Sequence, residues 1–278
     1  MTRWSSTPMR PRFGTVDGIT IRFAQSGQHV RQALLLGPWP ESLLAYQQTW
    51  SQLADHAHVV AIDLPGFGAS ERRESLLSPS AMGDFIIAIA DFFDMDRPHL
   101  VAPSIATSAS LFAAARHPHR VATVTVGPGP ALIPLIVGPD LQPWMSAENT
   151  AVAGAGQSRG RVIGLLSHLQ RHTLAPDVRE DYLRSYDGDR LAGTWPYLRG
   201  LAEQLPELHE LLPDIRTPVQ IIAGRHDRLV PWPNAEFMHQ RLPVSQLSGV
   251  DAGHFVWEDS PDEYSTLVRS WWHERNVR

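Results

Sequence analysis

Apolar positions along this chain alternate between two spacings. Runs around Phe13 to Val16 and Ile19 to Phe23 flank Asp17-Gly18, a pair suited to a tight hairpin turn, so the chain is predicted to open with a β-meander. Four later runs, "ALLLGP", "HVVAIDLPG", "HLVAPS" and "VATVTVGPG", are short, apolar or β-branched, and each closes in Gly, Pro or Ser. That is the pattern of strands buried on both faces of a parallel sheet. Between and after them the period changes to the helical one: Met82, Phe85, Ile86, Ile89 and Phe93 share a face, as do Tyr264, Leu267, Val268, Trp271 and Trp272. Strand and helix in alternation predict an α/β fold, a parallel sheet with helices on both faces.

The alternation lapses between about Pro130 and Pro213, where Pro, Gly and Trp punctuate helical or irregular stretches, and "TPVQIIAGRHD" then resumes the sheet. The expected organisation is therefore a core of residues 1–129 and 214–278 interrupted by a helical cap of residues 130–213. The cap's entrance, "GPGPALIPLIVGP", is apolar and stiffened by proline; it reads equally as a pocket wall or a plain core connector.

Composition removes several kinds of chemistry. The 278 residues include 24 arginines and no lysine, which excludes Schiff-base lysines and a Walker phosphate loop. Cysteine is absent as well, so disulfides, thiolate metal sites and cysteine nucleophiles are excluded. A net charge of -5 offers no broad basic field to nucleic acid. No apolar run reaches the roughly 18 residues of a membrane span, and "MTRWSSTPMRPRF" lacks a leader's apolar core, so a cytoplasmic protein without a membrane partner is expected. "GPGPAL" and "GAGQSRG" miss the glycine spacing of a dinucleotide loop, and no dense ligand motif points to a metal.

In open α/β sheets ligands bind beyond the carboxyl ends of the strands. Three such ends supply a serine, an acid and a histidine: Ser104 after "HLVAP", Asp227 after "VQIIAGRH", and His254 in "SGVDAGHF". Each has a plainer reading, Ser104 as a helix cap, Asp227 as a turn cap and His254 as a satisfied core histidine. Asp251 competes for the acid's role from within the histidine's own loop. Asp63 in "DLPGFG" reads as a structural acceptor of loop amides, and His117 and His119, flanking Pro118, as solvated.

The order Ser, Asp, His is similar to that of the α/β-hydrolase fold superfamily, and the resemblance covers nearly the whole chain. "LLLGPWPES" resembles its oxyanion loop, "DLPGFGAS" its Asp-x-Pro-Gly-x-Gly-x-Ser loop, "AGRHDRLVP" its acid loop and "DAGHFVWEDSPDEY" its histidine loop. The resemblance implies an eight-stranded, mostly parallel sheet with helices on both faces and a helical cap inserted after the sixth strand. It also implies a Ser104-His254-Asp227 triad and an oxyanion hole made by the backbone N–H groups of Trp39 and Ile105.

Two departures from the family pattern stand out. The usual Gly-x-Ser-x-Gly elbow reads Ala102-Pro103-Ser104-Ile105-Ala106, and the usual His-Gly of the oxyanion loop reads Gly37-Pro38. Alanine adds one carbon at each flank of a turn that packs closely, while Pro38 stiffens the loop that aims Trp39. The expected activity is a cofactor-independent serine hydrolase acting on a small, largely apolar ester, lactone or related acyl compound, with Trp144, Trp195 and Tyr197 as candidate pocket walls. "GPWPES" and the cap also resemble epoxide hydrolases and haloalkane dehalogenases, whose nucleophile is an aspartate. A serine alkoxide attacking an alkyl carbon would leave an ether that water does not readily cleave, so Ser104 argues against both. The alternatives are a non-hydrolytic enzyme of this fold (lyase, carbon–carbon cleavage or cofactor-free oxygenation with His254 as base) and a ligand-binding pseudoenzyme.

Overall fold

Asp17 and Gly18 both take positive φ, 45° and 77°, and this tight turn folds β1 (Arg12–Val16) antiparallel onto β2 (Ile19–Ser26). The remaining strands are β3 (Gln32–Leu36), β4 (His58–Ile62), β5 (His99–Ala102), β6 (Thr123–Val126), β7 (Val219–Gly224) and β8 (Ser245–Val250). The computed structural model, which describes residues 8–146 and 157–275, joins them in one eight-stranded sheet of order β1-β2-β4-β3-β5-β6-β7-β8. From β4 onward every neighbouring pair in that order is parallel; β2 meets β4 antiparallel.

The central strands carry no alternation because both of their faces are covered. Leu34, Leu35, Leu36, Val59, Val60, Val101 and Ile221 are all fully buried. β8 is different: as an edge strand it leaves "SQLSG" partly exposed, and its polar sequence gave no apolar run to read.

Helices α1 (Trp50–Ala54), α2 (Pro79–Phe92) and α3 (Ala106–Arg116) follow β3, β4 and β5. Ser78 starts α2, its Oγ accepting from the Ala81 N–H at 3.3 Å with Pro79 in the first turn, and Met82, Phe85, Ile86 and Ile89 are buried. Where α2 meets α3 the approach is close, since a Cβ on Gly83 would lie 2.7 Å from the Ala109 carbonyl oxygen.

Between β6 and β7 the described residues form helices and turns but no strand: α4 (Gln142–Met145), α5 (Ser158–Leu166), α6 (Pro176–Ser185), α7 (Arg190–Gly193), α8 (Trp195–Glu203) and α9 (Leu205–Leu211). After β7 come α10 (Pro233–Arg241), α11 (Val256–Asp259) and α12 (Pro261–Glu274). Asn234 of α10 fastens the entrance of the β6–β7 segment, accepting from the N–H groups of Ala131 (2.8 Å) and Leu132 (3.2 Å) and donating to the Ile136 carbonyl (2.9 Å). On α12, Tyr264, Val268, Trp271 and Trp272 are buried, each worth roughly 1.5–3 kcal/mol as an upper estimate of its transfer from water. No helix among the described residues is long and apolar enough to cross a membrane.

Candidate active site

The chain reverses sharply between β5 and α3, and Ser104 sits at the turn with φ of 53°, a left-handed conformation that non-glycine residues rarely adopt. A strained strand-to-helix turn of this kind is what presents a nucleophile at the end of a sheet. Thr107 fixes the strand side: its Oγ1 donates to the Ala102 carbonyl (3.1 Å) and accepts from the Gly127 N–H (3.2 Å). The room that elbow glycines usually leave comes here from the facing segments. A Cβ on Gly129 would lie 2.5 Å from Thr107, and Gly83 makes room for α3 as described above.

Asp227 follows β7, and its Oδ1 accepts from the N–H groups of Leu229 and Val230, both at 2.8 Å. Those two bonds leave Oδ2 for His254, whose Nδ1 lies 2.8 Å away. A carboxylate only accepts, so Nδ1 carries the imidazole's proton and Nε2 is left as an acceptor, 3.2 Å from Ser104 Oγ. All three side chains are buried. The edges of Phe255 and Trp257 pack around the ring, at 5.1 and 5.9 Å between centroids.

Asp251 lies elsewhere. It is exposed, pairs with Arg171, and accepts from His226 Nε2 at 2.8 Å. Asp63 holds loops together, accepting from the Leu43 N–H (2.6 Å) and the Ala69 N–H (2.8 Å) beside the Arg22 guanidinium (3.0 Å). Burial pushes its carboxyl up to about 6, against the pull of Arg22 and the two amides. His117 pairs at the surface with Asp84 and His119 is exposed.

Beyond Ser104 and His254, the cavity at this site is lined by apolar or aromatic side chains: Trp39 and Pro40 from the loop after β3, Leu141, Trp144, Leu165, Leu198 and Leu201 from the β6–β7 segment, and Leu229 and Val230 among others. Trp39 meets Trp144 edge-on at 5.0 Å. Neither the Trp39 nor the Ile105 backbone N–H has a hydrogen-bond acceptor among the described residues.

Of the three aromatics expected at the wall, Trp144 is there and two are not. Trp195 packs its ring beneath the Arg199 guanidinium, 4.9 Å from the carbon, and Tyr197 points its hydroxyl at the Ile105 carbonyl. On α8 Trp195 lies three residues before Leu198 and Tyr197 four before Leu201, adjoining positions, and the contacts with Arg199 and the Ile105 carbonyl occupy the two aromatics while Leu198 and Leu201 line the cavity.

Two groups had no sequence signal. Arg22 on β2 is buried and bridges Asp63, Asp181 (2.8 Å to each oxygen) and Ser42. Glu41 and Glu258 lie buried behind the histidine loop, Glu41 accepting from Trp257 Nε1 (3.2 Å) and Glu258 from Tyr182 (2.7 Å) and Gln48 (2.8 Å). Burial pushes Glu258 up to about 7 and Glu41 well above the usual carboxylate range. Among the described residues no three His, Cys, Asp or Glu side chains converge to hold a metal.

This sheet order, with a serine at a strand-to-helix elbow beside a histidine and an acid, defines an α/β-hydrolase class of protein. A family model described as the alpha/beta hydrolase fold matches residues 34–261, and the chain belongs to that family. It is similar to the uncharacterized hydrolase YugF of Bacillus subtilis, 24% identical over 279 residues, covering 94% of this chain and 97% of that protein. It is also similar to the 2-hydroxy-6-oxo-2,4-heptadienoate hydrolase of Pseudomonas putida, 25% identical over 240 residues and 84% of each chain. The solved structure of wild-type Cfl2 from Burkholderia cenocepacia shares the fold with a TM-score of 0.82 at 20% identity, over 95% of this chain and 96% of that one. Family and relatives together make this a hydrolase-like enzyme.

Proposed function

We propose that this protein is a cofactor-independent serine hydrolase that cleaves a small, largely apolar ester, lactone or related acyl compound. The observation that carries this reading is the buried relay from Ser104 Oγ through His254 to Asp227, opening on an apolar cavity. His254 Nε2 takes the serine proton as Oγ attacks the acyl carbon, and Asp227 stabilises the imidazolium that forms. The N–H groups of Ile105 and Trp39 receive the oxyanion. His254 then returns the proton to the leaving group, and activates the water that releases the acid and regenerates Ser104.

The β6–β7 segment serves as a cap. It supplies Leu141, Trp144, Leu165, Leu198 and Leu201 to the wall, so it selects substrate by apolar fit and shields the site from bulk solvent, admitting the one water that deacylation consumes. A hydrolase-named relative of similar length supports the hydrolytic reading over a bare binding role.

A series of p-nitrophenyl esters of increasing chain length tests it. Turnover with an initial burst of p-nitrophenol, abolished in Ser104→Ala, is expected. Ester turnover that survives Ser104→Ala would rule out the serine as nucleophile.

A further inference from the structure

Ile105 has a double position in this site. Its N–H is one of the two proposed oxyanion donors, and it is the N-cap of α3, where no side chain caps the helix. Backbone turn bonds, Ala106 N–H to the Pro103 carbonyl (3.2 Å) and Thr107 N–H to the Ser104 carbonyl (3.1 Å), tie that first turn to the elbow, and an oxyanion donor is useful only when its aim is fixed. Pro103 has no N–H, so its part in holding the elbow is confined to its carbonyl. The Thr107 side chain ties the elbow to its strand side, at Ala102.

On the helix side the Tyr197 hydroxyl donates to the Ile105 carbonyl oxygen at 2.9 Å. Tyr197 is fully buried, and its ring is seated edge-on against Phe67 at 5.1 Å and 81°, so the hydroxyl is delivered from a fixed ring. It sits in α8, one residue before Leu198 and four before Leu201, which wall the cavity. One hydrogen bond thus joins the substrate-selecting helix to the residue that aims the oxyanion donor.

We propose that Tyr197 is a positioning residue for the oxyanion hole, holding the Ile105 N–H on the acyl oxygen from the cap side through the Ile105 carbonyl. This rests on the serine hydrolase reading. The hydroxyl touches no substrate and transfers no proton. It fixes the first turn of α3, so its effect falls on the tetrahedral state, where the donor acts, more than on substrate binding.

The test compares wild type with Tyr197→Phe, which keeps the ring on Phe67 and removes only the hydroxyl. With p-nitrophenyl butyrate, kcat should fall about tenfold, a fraction of the 10²–10³ lost with a whole donor, while KM stays within about twofold. Affinity for an alkyl trifluoromethyl ketone, which adds to Ser104 as a tetrahedral mimic, should fall by the same factor as kcat, while affinity for the matching alkyl amide holds. Phe67→Leu, which loosens the ring and keeps the hydroxyl, should give the same split at smaller size and covers a failure of Tyr197→Phe to fold.

Unchanged kcat and ketone affinity in Tyr197→Phe would overturn the assignment alone, with ester hydrolysis standing. Equal weakening of ketone and amide would also overturn it, marking a merely structural contact. A folded wild type that neither hydrolyses the ester nor binds the ketone would end the serine hydrolase reading and this assignment with it.

Discussion

His254 Nδ1 lies 2.8 Å from Asp227 Oδ2, whereas Asp251, three residues before the histidine, turns its carboxylate outward to Arg171 and His226. The acid that orients the imidazole is therefore the one delivered by the strand end and not the one nearest in sequence. Asp227→Asn should lower kcat by about 10⁴ through loss of the correct tautomer, with the fold retained. Asp251→Asn removes only exposed, solvent-screened ion pairs and should leave kcat close to wild type. Steady-state kinetics and circular dichroism on the two variants decide this, and a reversed ranking would move the acid's role to Asp251.

Trp144 closes the cavity against Trp39. Replacing it with alanine opens space for a longer acyl chain, so Trp144→Ala should raise the kcat/KM ratio of hexanoate to acetate esters by about tenfold, the scale of a few methylenes in an apolar pocket. An unchanged chain-length profile would mean the chain extends away from Trp144.

Asp63 is buried against Arg22 and takes two loop amides. Asp63→Ala takes one of the two carboxylates that face Arg22 and leaves both N–H groups without their acceptor, and urea unfolding near pH 7 should register a loss of about 3 kcal/mol. Asp181 is the more exposed partner of Arg22, so Asp181→Asn should cost less.

Stability should also depend on pH through Glu258. Burial raises its folded-state pKa to about 7 from an ordinary value of 4.5, so between those limits the folded state binds more protons than the unfolded one. Its contribution favours folding below about pH 4.5, and is lost as pH rises to 7. The melting temperature of wild type should carry a component that falls between pH 5 and pH 8, and Glu258→Gln should flatten it. A variant with the wild-type slope would place the titration elsewhere.

The sheet was legible wherever its strands were covered on both faces, because such strands must be apolar: β3 to β7 stand out as short runs ending in Gly, Pro or Ser. β8 was not, since an edge strand tolerates Ser and Gln. Ser104, Asp227 and His254 could be named because strand ends and chain order mark them. The cavity wall could not be, as α8 offers Trp195, Tyr197, Leu198 and Leu201 on adjoining positions within about two turns, and only contacts with Arg199 and Ile105, distant or unmarked in the local pattern, decide that the leucines line the cavity. Arg22 left no trace in any local pattern, and Glu41 and Glu258 stood inside the quoted oxyanion and histidine loops with nothing local to mark them as buried together. Their meaning arises from contacts between segments that lie far apart in the chain.

Ser104, held at φ of 53° without flanking glycines, is proposed as a reactive nucleophile served by His254. Incubation with a fluorophosphonate near neutral pH, followed by intact mass and peptide mapping, tests it most directly. One covalent label on Ser104 is expected, and His254→Ala should slow its formation by at least about a hundredfold, the usual scale of lost general-base catalysis. A folded wild type that stays unlabelled, or labels equally fast without His254, would contradict the account.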